Sequence, residues 1–248
     1  MRAVILAAGR GSRMGRLGDE RPKCLVEFGG KPLIKRQVAA LRGGGAQAIG
    51  VVRGYRAEMV ELPGLTYFYN ERWSETNMVM SLATAAEWLK AGPVIVSYAD
   101  IFYRHELVRD LAAASGDLVI TYDRAWRMLW SRRFADPLAD AETFQADASG
   151  RLIEIGNKTS SIDQITGQYM GLLKFTPRAW KDVEALLATF DALTRDRLDM
   201  TGLLQRLLRR NVTIGTFGTD GHWGEIDSPG DLALYERMAK DGELMLEG

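Results

Sequence analysis

Short apolar runs rich in β-branched residues alternate with stretches of helical periodicity along most of the chain. Residues 3–6, 48–52, 65–69, 93–100, 118–122, 168–175 and 212–217 read as strands, most of them continuous enough in apolar character to be buried on both faces. Between them, Leu33, Ile34, Val38 and Leu41 recur at helical spacing after Lys31-Pro32, and Gly43-Gly44-Gly45 stops that helix. A short helix is expected over 58–62, and a longer one runs from a Thr76 cap to Leu89. Further helices are expected from near Tyr103, over 177–187, and over 200–208 with Leu203, Leu204, Leu207 and Leu208 inward. Residues 143–148 and 152–155 flank Ala148-Ser149-Gly150-Arg151, a hairpin turn signal. Ser228 caps a last helix with Pro229 in its first turn. Strands alternating with helices predict an α/β protein, Rossmann-like, with a mostly parallel central sheet and a small β-rich region in its second half.

Composition narrows the class. The 248 residues carry 32 basic and 32 acidic side chains, a formal net charge of zero, so bulk charge gives no sign of a nucleic-acid binder. No apolar run is long enough to span a bilayer. The chain enters its first strand without a signal peptide, and the expected setting is the cytoplasm. Cys24 is the single cysteine, which excludes a disulfide framework and a cysteine-based zinc site. Beside Lys23 it reads either as a reactive thiol or as a small core residue, the commoner case. The length suits one domain over 1–248, and a homodimer stays open.

The candidate chemistry starts where the first strand ends, in Leu6-Ala7-Ala8-Gly9-Arg10-Gly11-Ser12-Arg13-Met14. Small residues and glycines leave backbone N–H groups free to face phosphate oxygens. The loop is not a Walker A string, and it fails the dinucleotide fingerprint because Met14 stands at the third glycine position. Arg13 and Lys23 then add two cations, which suits a triphosphate. Asp100 closes a buried strand, where ligand-facing acids belong in this architecture; alone it could equally cap the next helix. With Asp227 it makes a candidate Mg²⁺ pair. Glu225 is a weaker candidate, since an extended 225–227 segment would turn it to the opposite face. Asn77 and Ser81 lie four apart on one helix face; reading a base edge and plain capping remain open alternatives. Residues 124–134 hold four arginines and two tryptophans, and Asp136, Asp140 and Glu142 follow. That mixture suits an acceptor bearing both an anion and an ammonium group, or a solvated lid helix whose tryptophans are core.

The string Leu-Ala-Ala-Gly-x-Gly-x-Arg-Met followed by Pro-Lys-x-Leu resembles the signature of nucleotidyltransferases that join a nucleoside triphosphate to a phosphorylated acceptor and release pyrophosphate. Asn-Met-Val-x-Ser-Leu at 77–82 and Glu-Ile-Asp-Ser-x-x-Asp at 225–231 are similar to the cytidylyltransferase branch that includes choline-phosphate and phosphonate enzymes. The Gln-x-x-x-x-Gly-x-Ala string of many sugar nucleotidyltransferases is absent. The resemblance covers residue 1 to about residue 240 and implies a three-layer αβα nucleotidyltransferase fold. It implies that Leu6, Ala8, Gly9, Gly11, Ser12, Arg13, Asn77 and Ser81 contact CTP, with Arg13 at the β- and γ-phosphates and Lys23 at the α-phosphate. Asp100 and Asp227 would hold Mg²⁺. The acceptor set is Asp123, Trp126, Trp130, Arg132, Glu142, Lys158, Tyr169 and Gly171, although the spacing around Lys158 departs from the usual Glu-Lys-Pro. Residues 1–122 would mainly bind the nucleotide and 123–248 the acceptor: phosphocholine, an aminoalkylphosphonate, or a phosphorylated amino-acid amide of the capsule-building kind. The partners implied are small molecules, without nucleic acid or membrane. The rivals are a sugar-1-phosphate nucleotidyltransferase using UTP or dTTP, and a nucleotide-sensing subunit without turnover. A sensor has no need of Arg13, Lys23, Asp100 and Asp227 together.

Overall fold

Consecutive residues of the first strand enter opposite layers of core. Ala3, Ile5 and Ala7 join one buried apolar cluster, and Val4, Leu6 and Ala8 join the other. This is the period of two expected of a strand covered on both faces. The computed structural model describes residues 1–244; 245–248 of the expected domain lie outside the described residues.

Among the described residues the main sheet has seven strands: β1 (Arg2–Ala7), β2 (Ala48–Arg53), β3 (Thr66–Tyr69), β4 (Val94–Tyr98), β5 (Leu118–Asp123), β6 (Gln168–Phe175) and β7 (Gly215–Thr219). Their spatial order is β7-β5-β6-β4-β1-β2-β3. β6 alone among these strands is antiparallel to its neighbours, so the sheet is mixed and mostly parallel. The helices Leu33–Gly43 and His105–Ala113 pack on one face through Leu33, Ile34, Leu41, Val108 and Leu111. The helices Met78–Ala83, Ala86–Ala91, Pro177–Leu187 and Met200–Arg209 cover the other, through residues such as Val79, Leu89, Trp180 and Leu204. The result is a three-layer, Rossmann-like αβα arrangement. No helix among the described residues is long and apolar enough to cross a membrane.

Four elements differ from the sequence expectation. The helix expected to run from Thr76 to Leu89 is two helices, and Asn77 is the cap. Its Oδ1 accepts from the Met78 N–H at 2.7 Å, while the Thr76 hydroxyl donates to the Arg72 carbonyl. The helix expected near Tyr103 starts at His105, because Ile101–Tyr103 is a strand paired with Trp223–Glu225. The short helix expected over 58–62 is a single turn, Ala57–Met59. β7 begins three residues later than expected and runs on to Thr219. The hairpin pairs Phe144–Ala146 with Leu152–Ile155, and the Asp147 carboxylate accepts from the N–H groups of Ser149 and Arg151 to close its turn.

Candidate active site

The carboxyl ends of β1 and β4 lie side by side in register, Leu6 against Tyr98. The segments that leave them, 8–15 and 99–100, meet over that edge, where parallel sheets bind ligands. Gly11 sits in the left-handed region at φ +69°, and a Cβ there would come within 2.8 Å of the Lys23 side chain. Glycine thus lets the loop fold down onto Lys23. Leu6, Ala8, Gly9, Gly11, Ser12, Arg13, Asn77, Ser81, Lys23 and Asp100 all line one cleft of about 280 Å³. Trp73 lines it as well; no spacing rule singles it out, since it stands alone in an irregular segment.

Lys23 is the hub. Its side chain is 10% exposed, and Nζ donates to Asp100 Oδ2 at 2.9 Å and to Asp227. Burial alone would lower its pKa, but Asp100, Asp227 and Glu225 outweigh that and hold it above the ordinary lysine value. It is therefore a cation at neutral pH. The Arg13 guanidinium reaches the other Asp227 oxygen at 2.7 Å and is largely exposed at the mouth of the cleft.

Glu225 corrects the sequence expectation. It does not face away: one oxygen each from Asp100, Glu225 and Asp227 lie within 4.8 Å of one another. The strand Trp223–Glu225 ends at that residue, and the Ile226 N–H bonds the Asp100 carbonyl at 2.9 Å. Residues two apart on an extended segment share a face, so Glu225 and Asp227 both turn toward Asp100. Burial first, then Asp227 and Asp100, push the Glu225 carboxyl up to about 8, against the opposing pull of Arg133 and Lys23. Asp100 Oδ1 is buried without a hydrogen-bond partner among the described residues. Three converging carboxylates with an unspent oxygen fit a hard, oxygen-seeking divalent cation such as Mg²⁺.

Arg133 braces this cluster. Its side chain is 1% exposed, with Nε 2.8 Å from Asp231 and Nη1 3.2 Å from Glu225. Asp231 Oδ2 in turn accepts from the N–H groups of Asp227 and Ser228. In sequence Arg133 is indistinguishable from the other arginines of its run.

A second cavity, of about 150 Å³, shares Arg13 with the first and has Asp227 on its wall. Trp130, Glu142 and Tyr169 from the expected acceptor set line it, together with Asp140, Gln168 and Glu225. The Trp130 indole N–H donates to Asp140 at 3.0 Å. Burial raises the pKa of Glu142; Lys158 opposes this, and Asp199 and Asp140 add to it. Five expected contacts fall elsewhere. Asp123 is fully buried, its oxygens accepting from the N–H groups of Ala125 and Gly221 and the Trp223 indole, so it is a structural acid. Trp126 is buried edge-on to Trp130, behind the wall. Arg132 pairs with Glu243 at the far end of its helix. Lys158 is exposed and donates to the Asp140 carbonyl, bracing that segment from outside. Gly171, at φ +78°, makes its close approach to the Tyr98 ring, which a Cβ would meet at 2.6 Å. Cys24 is buried, and burial pushes its thiol up to about 12, which removes it as a nucleophile.

A glycine loop at a strand end, a buried lysine and a carboxylate cluster on a mostly parallel sheet define a nucleotidyltransferase-type α/β enzyme. The chain belongs to the MobA-like NTP transferase domain family, which matches residues 3–159. It is 36% identical to the CTP:phosphoglutamine cytidylyltransferase of Campylobacter jejuni, over 94% of this chain and 98% of that one. It is 33% identical to the choline-phosphate cytidylyltransferase of Streptococcus pneumoniae, over 97% and 99% of the two chains. The inositol-1-phosphate CTP transferase from T. maritima shares the fold, with a TM-score of 0.75 at 23% identity over 98% of this chain and 96% of that one. The reaction of the superfamily is nucleotide transfer.

Proposed function

We propose that the protein transfers CMP from CTP to a small phosphorylated or phosphonate acceptor bearing an ammonium group, with release of pyrophosphate. The observation that carries this reading is the position of Lys23. It lies, buried and charged, between Asp100 on the wall of the first cavity and Asp227 on the wall of the second, and Arg13 borders both. The similarity to relatives that carry CTP in their names supports the choice of nucleotide.

In this reading the glycine loop holds the triphosphate in the first cleft and Lys23 faces its α-phosphate. An acceptor oxygen in the second cavity attacks the α-phosphorus. A new P–O bond forms, the bond to the β-phosphate oxygen breaks, and its electron pair leaves with pyrophosphate. The acceptor oxygen is already an anion, so no general base is needed, and positioning and charge neutralisation dominate. Asp100, Asp227 and Glu225 would hold Mg²⁺, which when bound supplies positive charge to the α-phosphate and the leaving group. Arg13, exposed at the mouth, steadies the departing pyrophosphate. Asn77, Ser81 and the backbone at Ala8 read the cytosine edge, and Trp130, Asp140 and Glu142 receive the ammonium group. Residues 1–122 thus serve mainly the nucleotide and 123–248 mainly the acceptor, both drawn from the cytoplasm. A neutral sugar phosphate would bring no positive charge to Asp140 and Glu142. The test is a pyrophosphate-release screen of the four NTPs against phosphorylated amines, alcohols and sugars. CTP with a phosphorylated amine is expected to turn over best; UTP or dTTP with a sugar phosphate as the best pair would refute the reading.

A further inference from the structure

A third cavity, of about 470 Å³, adjoins the acceptor side, and Glu142 belongs to the walls of both. Its other charged walls are Arg197, Asp199 and Arg206. The segment that carries Arg197 is fastened to the nucleotide cleft. The Asn77 N–H bonds the Asp196 carbonyl at 2.7 Å, and the Asn77 side-chain amide reaches the Arg197 carbonyl at 3.4 Å. Asp199 caps the helix Met200–Arg209 through one oxygen, which accepts from the Gly202 N–H at 2.7 Å. The Arg197 side chain has no hydrogen bond or carboxylate partner among the described residues. Arg206 donates to the Gly202 carbonyl and lies over the Phe190 ring, 5.5 Å from its centre, also without a carboxylate partner among the described residues.

The charges are sorted between the two cavities. Around the inner one stand Asp140, Glu142, Glu225 and Asp227, and its single cation, Arg13, is already paired with Asp227. A second anionic group on the acceptor, beside the phosphate that reacts, would be repelled there. The outer cavity offers two guanidinium forks with donors to spare, beside the acids Glu142 and Asp199. We infer that the outer cavity is a subsite for the amino-acid end of the acceptor, taking an α-carboxylate on Arg197 and Arg206 and leaving the ammonium group at Glu142, the wall it shares with the inner cavity. This rests on the cytidylyl-transfer reading above and narrows its acceptor to a phosphorylated amino acid or amino-acid amide. Phosphocholine or an aminoalkylphosphonate has no carboxylate to offer these arginines.

The experiment compares acceptors that differ only by that carboxylate: O-phosphoserine with phosphoethanolamine, O-phosphohomoserine with aminopropyl phosphate, and amide-phosphorylated glutamine with its decarboxylated analogue. Pyrophosphate release with CTP gives kcat/KM for each. At least one pair should favour the carboxylate-bearing member by about tenfold or more, the ordinary worth of a charge-assisted hydrogen bond. Arg197→Gln and Arg206→Gln should each shrink that ratio through KM rather than kcat, and Arg197→Lys should restore part of it. Equal use of both members in every pair overturns the subsite and leaves cytidylyl transfer standing. So does a carboxylate preference that survives both glutamine variants. If CTP supports no acceptor of either kind while another NTP does, the parent reading falls and the subsite with it.

Discussion

Lys23 illustrates what one position can and cannot reveal in sequence. The family resemblance implies a place at the α-phosphate, and Lys23 lines the first cleft. Nothing local told of its two carboxylate partners, which lie 77 and 204 residues away. Lys23→Ala should lower kcat by two to three orders of magnitude, about 3–4 kcal/mol of barrier, as for loss of one preorganised charge in a dry site. A folded variant with near-normal turnover would remove Lys23 from the mechanism. The same substitution leaves Asp100 without its cation and Asp227 with Arg13 alone, so added Mg²⁺ should raise the melting temperature of the variant more than that of the wild type. An equal shift in both would place metal binding elsewhere. Cys24 gives a simpler expectation. With its thiol held near 12 by burial, alkylation by iodoacetamide at neutral pH should be slow until denaturant unfolds the chain. Rapid labelling of native protein would contradict the burial.

The helix Trp126–Arg133 shows how an element can be recognised and its working residues mistaken. Its dense arginines and tryptophans pointed to the acceptor, and Trp130 does line the second cavity. Yet Trp126 is core, Arg132 pairs at the surface, and Arg133 goes inward to Glu225 and Asp231. Short range patterns cannot sort these neighbours, because the sorting depends on acids about a hundred residues later. Glu225 was misjudged for a local reason: residues two apart on an extended segment share a face, so it turns with Asp227 toward Asp100. The hairpin at 144–155 was legible because its turn is built from local hydrogen bonds of Asp147. Arg133→Met should destabilise the fold by about 3 kcal/mol in denaturant titration, since it takes the cation from buried Asp231 and half-buried Glu225. A loss below about 1 kcal/mol would show that Glu225 and Asp231 find other partners.

The alternation of strands and helices was enough to foresee a layered α/β molecule, and its candidate cleft opens at the carboxyl ends of the strands. The order β7-β5-β6-β4-β1-β2-β3 and the reversed direction of β6 were not foreseeable. They are fixed by pairings between distant strands, which period and propensity do not encode. That topology matters to the chemistry. Lys23 and Asp100 come from the first half of the chain and Glu225 and Asp227 from the second, so the proposed transfer happens where the halves close on each other. The most direct test of cytidylyl transfer is kcat/KM for CTP against UTP, measured by pyrophosphate release with one phosphorylated amine as acceptor. A base edge read by hydrogen bonds in a dry cleft leaves groups unpaired with the wrong pyrimidine, which predicts a preference for CTP of about a hundredfold. Equal efficiency, or a preference for UTP, would contradict the account.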